Sequence, residues 1–162
     1  TRTRDNVIFR ELRLADGDQF DGSKLRRSNE RLNRLRYFTQ ADTTIVPTDK
    51  DDEVDLRVNL KEDRTGAIMG YSTFYQFGVS GSIQERNLFG RGYSLGLQGF
   101  VSGKSSYLDL SFVNPRIYDT DFGFSNNSYA IWEEWDDFKK KTIGNTIRLF
   151  HPIGEYTSVS VG

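Results

Sequence analysis

The second half of the chain alternates apolar residues with polar or small ones. In ERNLFGRGYSLGLQGFVSG, residues 85–103, the apolar residues Leu95, Leu97 and Val101 lie at alternate positions. The positions between them hold Ser94, Gly96, Gln98 and Ser102. Because successive side chains of a strand point to opposite faces, this segment predicts a strand with one apolar and one polar face. In a soluble protein the apolar face turns inward, whereas in an outer-membrane barrel it turns outward to lipid.

The same period of two recurs from residue 66 to residue 161. It predicts seven consecutive antiparallel strands, near residues 66–71, 77–85, 93–101, 106–114, 122–132, 142–150 and 156–161. The fifth and sixth of these strands have about ten residues each, which is the length of a tilted membrane-spanning strand. This length favours a transmembrane barrel over a soluble sandwich, in which the apolar faces of two sheets would meet.

In a barrel, one of the two alternating sets of side chains faces lipid. Strand 106–114 shows the division clearly, because Leu108, Leu110 and Phe112 alternate with polar and aromatic residues. The complete set of residues predicted to face lipid is Leu95, Leu97, Leu108, Leu110, Phe112, Ile143, Ile147 and Leu149.

The first 62 residues have a different pattern, with two helical segments. In DGSKLRRSNERLNRLRYF, the residues Leu25, Leu32 and Leu35 recur at helical spacing and continue to Phe38, and Asp21 or Ser23 can cap the helix. A shorter helix is predicted over residues 4–12. Its expected cap is Thr3, and Ile8 and Leu12 are expected on one face.

Two strands follow these helices. They are predicted near residues 41–46 and 54–61, separated by the charged turn PTDKDDE. A two-stranded sheet covered by two helices has an edge that needs a partner, which suggests a further strand before Thr1. The predicted fold is therefore an incomplete α+β domain at residues 1–62, followed by barrel strands at residues 63–162.

Composition excludes several classes of protein. No run approaches the length of about eighteen apolar residues that a spanning helix needs, so an α-helical membrane protein is excluded. The net charge of -1 gives no nucleic-acid signature, and the absence of cysteine excludes disulfides and thiolate metal sites. The chain begins Thr-Arg-Thr-Arg-Asp without a signal peptide, which is expected of an intracellular protein or of an internal piece of a longer one.

The candidate catalytic and metal-binding residues are isolated. His151 is the one histidine, so a transition-metal site is not expected. Asp119 and Asp121 could pair for acid–base chemistry, yet they lie in a turn, and we expect neither an enzyme nor a cofactor. A charged segment, predicted as a long hydrated loop balanced by Lys139, Lys140 and Lys141, contains four carboxylates that could collect Ca²⁺: Glu133, Glu134, Asp136 and Asp137.

Several segments together resemble the BamA (YaeT) family of outer-membrane assembly proteins. They are TRTRDNVIFREL, RLNRLRYF, VDLRVNLKEDRTG, ERNLFGRGYSLGL and DLSFVNPRIYDTD, which cover essentially the whole chain. The resemblance implies that residues 1–62 are the last POTRA domain, lacking its first strand, and that residues from about 63 begin the barrel. The chain departs from the family in its number of strands, because seven cannot close a barrel of about sixteen. The hairpin tip STFYQ is also unusual, which leaves the register of the first hairpin open.

The resemblance further implies a function without catalysis: insertion and folding of other barrel proteins in the bacterial outer membrane, with the POTRA domain in the periplasm. The implied partners are unfolded outer-membrane proteins, lipoproteins such as BamD, the lipid bilayer and lipopolysaccharide. Glu11, predicted on the first helix, matches an acidic position at which the family meets BamD. Taken alone, an acidic residue on a helix is usually a solvated surface charge.

The first barrel strand is the candidate gate to which an incoming strand would add. It contains Thr65, Gly66, Ala67, Ile68, Met69, Gly70 and Tyr71. It is short, and its two glycines weaken a strand interior, so its edge could accept backbone hydrogen bonds from another chain. Two alternatives stay open at this point: a two-partner-secretion transporter of the same superfamily, and a soluble β-rich binding module.

Overall fold

The structure is a computed structural model, and it describes residues 2–50, 52–73, 78–154 and 157–162. The chain divides into two compact units, residues 1–65 and residues 66–162, which we call the N-terminal and C-terminal units. Among the described residues, no helix is long and apolar enough to cross a membrane.

The N-terminal unit contains two helices and a two-stranded antiparallel sheet. The elements are α1 (Asp5–Phe9), α2 (Gly22–Arg34), β1 (Phe38–Pro47) and β2 (Val54–Glu62). Helix α2 is capped by Asp21, whose side chain accepts a hydrogen bond from the amide of Ser23 at 2.8 Å, as predicted. The hydroxyl of Ser28, which is buried in α2, accepts a hydrogen bond from the amide of Arg13 at 2.8 Å. This bond ties the connection between the helices to α2.

Helix α1 differs from its prediction at both ends. Its N-cap is Arg4, which makes no side-chain capping bond, so the prediction of a Thr3 cap is wrong. Thr3 instead donates its amide to a carboxylate oxygen of Glu62 at 2.5 Å. The helix ends at Phe9 rather than Leu12, and Glu11 and Leu12 follow in turns whose amides bond to carbonyls three residues earlier.

The core of the N-terminal unit is small. It consists of Val7, Ile8, Leu32, Tyr37, Phe38 and Ala41, with Leu12, Leu35, Val58 and Leu60 packed against it. Ile8 and Leu12 thus face the same core, as predicted, although Leu12 lies beyond the helix. Phe38 was predicted at the end of the long helix but begins β1, because the chain turns at Arg36 with a left-handed φ of 55°. Apolar helix residues and sheet residues meet here away from solvent.

The C-terminal unit is one antiparallel sheet of seven consecutive strands. They are β3 (Gly66–Thr73), β4 (Gly78–Leu88), β5 (Tyr93–Ser102), β6 (Ser105–Asn114), β7 (Gly123–Glu134), β8 (Lys139–Pro152) and β9 (Ser158–Val161), in sequence order. The described part of the chain thus confirms the predicted number and order of strands. The register of the first hairpin runs from Gly66 opposite Glu85 to Thr73 opposite Gly78. Residues 74–77 of the predicted hairpin tip and second strand, and Tyr156 of the predicted last strand, lie outside the described residues.

Two predicted boundaries in this sheet need correction. Thr65 precedes the first strand, which begins at Gly66 and continues to Thr73. The charged segment 133–141 is not a long loop, because Glu133 pairs with Lys140 and Glu134 with Lys139 in the ladder of β7 and β8. Only four residues, 135–138, connect these strands, and opposite charges facing each other across strands stabilise the pairing.

Two glycines in the ladder of β7 and β8 lie beneath aromatic rings. A Cβ atom at Gly144 would come within 2.2 Å of the ring of Tyr129, its cross-strand partner. A Cβ atom at Gly123 would come within 2.0 Å of the ring of Phe150, which is also its partner. In both pairs, the aromatic ring occupies the space that a side chain would need.

Hydrogen bonds between Glu62, at the end of β2, and the first residues of the chain predict that the stability of the N-terminal unit falls in acid. Glu62 accepts the amides of Arg2 at 2.7 Å and Thr3 at 2.5 Å. Burial raises the pKa of Glu62, but these two amides and the Thr3 hydroxyl lower it by more, so the pKa lies below the usual value of 4.5. A carboxylate with a lowered pKa contributes stability that is complete above the unfolded-state pKa and is lost as pH falls.

We therefore expect Glu62→Gln to destabilise the N-terminal unit near neutral pH by about 1 kcal/mol, since hydrogen bonds to a charged acceptor weaken when the charge is removed. The two proteins should converge in acid, as the pH falls through the lowered pKa of Glu62, because the wild-type carboxylate is then protonated. Hydrogen exchange of residues 2–12, compared between variant and wild type at each pH, measures the difference. A difference that stays constant with pH would contradict the role of the charge.

Candidate functional site

The two faces of the seven-stranded sheet differ in chemistry. Directly opposed residues in an antiparallel ladder point to the same face, so the register assigns each side chain. Leu95 is opposite Phe112, Leu97 is opposite Leu110, and Leu108 is opposite Ala130, which in turn is opposite Ile143. Continuing this register places all eight residues predicted to face lipid on one side, which we call the apolar face. That they contact lipid stays a prediction.

The apolar face is also exposed. Among the described residues of β3 to β9, nearly all exposed large hydrophobic side chains lie on it: Ile68, Val79, Ile83, Leu97, Val101, Leu108, Leu110, Trp132, Ile143, Ile147, Leu149, Val159 and Val161. The exceptions are Met69 and Tyr129, on the opposite face. An exposed apolar surface of this extent is far larger than soluble monomers present to water, so it marks an interface with lipid or protein.

The opposite face, which we call the polar face, carries hydrogen-bonded side chains. Gln98 donates to the hydroxyl of Tyr107 at 2.9 Å, and the ring of Tyr107 stacks on Phe100 at 6.0 Å between centroids. The amide of Asn127 donates to both carboxylate oxygens of Asp109 at 3.1 Å. A charged carboxylate held by a neutral amide is compatible with an aqueous lumen and costly in hydrocarbon.

The predicted gate residues lie at the edge of the sheet. Ala67, Ile68, Met69, Gly70 and Tyr71 are within β3, Gly66 is its first residue, and buried Thr65 precedes it. Strand β3 pairs with β4 and has no second neighbouring strand among the described residues. Gly70 is opposite Gly81, so at this row the two strands are joined by backbone alone. Side chains therefore contribute no packing at this row, whereas Ile68 is opposite Ile83 two rows away.

Glu11 is buried rather than solvated. Its side chain is about 9% exposed, and its Oε2 atom accepts bonds from both Nε and Nη2 of Arg31 at 2.9 Å. Arg10 lies 3.9 Å from the other carboxylate oxygen. Residue 31 lies twenty positions along the chain, which is why sequence spacing did not indicate the pair. Any partner that uses this position therefore meets an arginine–glutamate cluster.

The other residues considered for chemistry form no shared site. His151 packs against the ring of Phe122 at 4.6 Å, and Asp121 pairs with Arg116. Asp119 lies in the turn that precedes Asp121 and has a left-handed φ of 61°. Glu134 pairs with Lys139 at 2.9 Å. Within the described residues, no three histidine, cysteine or acidic side chains are grouped so that they could hold a metal ion.

Sequence analysis missed a polar cluster on the apolar face. Asn126, Ser128 and Asn145 occupy positions that the register assigns to that face, and their side chains hydrogen-bond to one another. The sequence GFSNNSYAIW of β7 could have indicated this cluster, because it has polar residues at odd-numbered and even-numbered positions and therefore on both faces of the strand. We predicted faces by counting apolar residues, so these three positions were not considered.

Comparisons with known proteins match both units. The Omp85 superfamily domain matches residues 87–162, and the POTRA family, described as surface antigen variable number repeat, matches residues 1–63. The outer membrane protein assembly factor BamA of Nitratidesulfovibrio vulgaris is 61% identical over 164 residues, covering 99% of this chain and 21% of the relative. That of Neisseria meningitidis is 33% identical, covering 99% of this chain and 22% of the relative.

A solved structure agrees with these matches. The crystal structure of BamA from Haemophilus ducreyi lacking POTRA domains 1-3 is similar with a TM-score of 0.77 and 26% identity, covering 98% of this chain and 32% of that one. The present chain spans about a fifth of the length of the curated relatives.

The buried pair of Glu11 and Arg31 predicts a large loss of stability when one partner is removed. Glu11→Ala would leave Arg31, whose side chain is 13% exposed, without this carboxylate. We expect the N-terminal unit to lose about 3 kcal/mol, since breaking a buried ion pair leaves an uncompensated charge. Hydrogen exchange of residues 22–34 measures the loss. Glu30→Ala, which removes an exposed carboxylate of the same helix, is the control and should change little; equal effects would contradict the prediction.

Proposed function

Because this chain belongs to the BamA family of the Omp85 superfamily, we propose that it contributes a POTRA domain and the first barrel strands to a factor that inserts other β-barrel proteins into the outer membrane. The protein is located in the outer membrane, with its POTRA domain in the periplasm. The observation that carries the proposal is an antiparallel sheet with one exposed apolar face, in a chain similar over its whole length to outer membrane protein assembly factors. Assembly of this kind needs no catalytic residue.

The apolar face supplies the contact with lipid. Each exposed leucine or isoleucine side chain gains about 1.5–3 kcal/mol on leaving water, so a continuous face of them favours the hydrocarbon layer strongly. The polar face then lines the lumen, where the carboxylate of Asp109 and the amide of Asn127 can remain hydrated. A soluble binding module would have to cover the same face with protein. The relatives are assembly factors, and this favours insertion over export by a secretion transporter.

Strand β3 supplies the gate. Backbone N–H and C=O groups left unpaired in hydrocarbon cost several kcal/mol each, so a free strand edge in the membrane seeks a partner. An unfolded outer-membrane protein could satisfy that edge with a strand of its own, paired by backbone hydrogen bonds. The glycine pair of Gly70 and Gly81 supports this role, because β3 can be displaced with little loss of packing.

The POTRA domain supplies contacts in the periplasm. We propose that a lipoprotein such as BamD docks beside Glu11, where the carboxylate holds Arg31 and Arg10 in place. In the sheet itself, Nζ of Lys141 lies 5.8 Å from the centroid of the Trp132 ring, and both residues are on the apolar face. An aromatic ring and an ammonium group at a strand end suit the headgroup region of lipopolysaccharide.

If β3 is the gate, the effect of a single proline should alternate from one residue of β3 to the next. Proline removes a backbone donor, and in β3 successive donors point alternately toward β4 and toward the outer edge. We expect single prolines at Ala67, Ile68 and Met69 to fall into two classes. One class disrupts the pairing with β4, whereas the other leaves the barrel folded and blocks insertion of client barrels into proteoliposomes.

The folded state of each proline variant is followed by its resistance to unfolding in detergent, separately from client insertion. Proline at Gly103, in the turn after β5, is the control because that residue lies in open space. Full insertion activity in every folded β3 variant would refute strand addition at this edge.

The apolar face predicts a difference between adjacent residues of β5. Leu97 lies on the apolar face and Gln98 on the polar face, and both side chains are exposed. We expect Leu97→Arg to destabilise the full-length protein in lipid vesicles by about 2 kcal/mol, as arginine on the lipid face of a barrel does. Gln98→Arg is the matched control and should cost less than about 1 kcal/mol, since water remains available in a lumen. Urea unfolding measures both, and the reverse order would show that the face is misassigned.

A further inference from the structure

We propose that Asn126, Ser128 and Asn145 form a water-binding patch on the apolar face that draws water into the middle of the bilayer beside β7 and β8. This inference deepens the proposed function and rests on it in one respect, namely that the apolar face contacts lipid. It concerns a part of the barrel wall four strands away from the gate.

The first observation is the position of the patch. Ser128 is directly opposite Asn145, and Asn126 is opposite Ile147, so all three polar side chains share the face of Leu110 and Phe112 on β6. Ser128 is the sixth of the 12 residues of β7, and Asn145 is the seventh of the 14 residues of β8. The patch therefore lies halfway along both strands, at the level of the bilayer centre if the strands span it.

The second observation is a closed ring of hydrogen bonds. Asn126 donates from Nδ2 to Oδ1 of Asn145 at 3.2 Å, and Asn145 donates from Nδ2 to Oγ of Ser128 at 2.7 Å. Ser128 donates from Oγ to Oδ1 of Asn126 at 3.1 Å, which closes the ring. Each residue donates once and accepts once, so the ring is internally consistent and fixes the orientation of both amides.

The third observation is that the ring leaves donors and acceptors of both asparagines unused. A carboxamide has two N–H donors and an oxygen with two lone pairs, and the ring uses one donor and one acceptor position of each asparagine. One N–H and one lone pair of each amide thus have no bond within the described protein. Asn145 is exposed, so no neighbouring side chain covers it. In hydrocarbon each such group costs several kcal/mol if nothing bonds to it.

Water is the ligand that this arrangement fits. A bound water needs two to four polar partners, and the remaining donors and acceptors of two adjacent amides provide them. Polar groups inside a bilayer are commonly relieved by water defects and local thinning, which lower their cost. The bilayer beside β7 and β8 is then thinner and wetter than beside β5, where the same row holds Leu97. An unfolded chain with unpaired backbone groups would cross the membrane more easily at such a place.

The test measures water in the full-length protein reconstituted in phospholipid vesicles. Single nitroxide labels are placed at Ile147, which lies opposite Asn126, and at Leu97, in the row of Ser128 on the same face. Collision rates with a water-soluble nickel chelate and with oxygen report water and lipid, respectively. We expect the ratio of nickel to oxygen collisions to be roughly threefold or more higher at Ile147 than at Leu97, because only Ile147 adjoins the patch.

Removal of the polar groups should abolish this difference. In the variant N126L/S128A/N145L, we expect the ratio at Ile147 to fall to that at Leu97, whereas the control variant Thr146→Val, on the polar face, keeps the difference. If the triple variant does not fold, the single change Ser128→Ala, which opens the ring, should still alter the ratio at Ile147.

The possible failures are distinguishable. Low nickel access at both labels in the wild type would overturn the water patch while leaving the lipid-facing assignment and client insertion untouched. High nickel access at both labels would instead overturn the assignment of the apolar face to lipid. A label at Ile147 shielded from both oxygen and nickel in native membranes would show that a membrane protein partner, rather than water, covers the patch.

Discussion

The pairing of backbone hydrogen bonds is the constraint on which this structure depends. In hydrocarbon no water replaces a missing partner, so each strand needs a neighbour on both sides. Strands β4 to β8 have both neighbours, whereas β3 and β9 each have one within the described residues. The same requirement that holds the sheet together is the physical basis of our proposal that another strand adds to β3.

The two units show opposite solutions to the burial of apolar side chains. In the N-terminal unit, Val7 and Leu32 from the helices meet Phe38 and Ala41 from the sheet, so its core is closed by its own helices. In the C-terminal unit the described residues place no second layer over the apolar face, and residues such as Ile143 remain 70% exposed. Under the proposed function, lipid takes the place of that second layer. Alternating apolar and polar residues occur both in soluble sheets and in membrane barrels, so the pattern alone does not tell which of the two a strand belongs to; the layer that covers the apolar face does.

Much of the fold could be predicted because it depends on local periodicity. The alternation in segments such as 106–114 placed all seven strands, and the spacing from Leu25 to Leu35 placed the longer helix. The errors occurred where distant residues decide. The N-cap of α1 is Arg4 rather than Thr3, whose amide and hydroxyl both bond to Glu62, at the far end of the unit. Segment 133–141 continues a ladder because Glu133 and Lys140 face each other, which charge composition alone cannot indicate.

In each glycine–aromatic pair of β7 and β8, the residue tolerated at one position depends on the residue at the other. A methyl group at Gly144 has no room while Tyr129 is present, and loss of the ring would open a gap above a bare backbone. The same relation joins Gly123 to Phe150. In a library of random variants, single substitutions at these positions should therefore be depleted, whereas swaps that move the large residue to the other strand should survive. The frequencies of the surviving paired substitutions would then reveal, without a structure, that β7 pairs with β8.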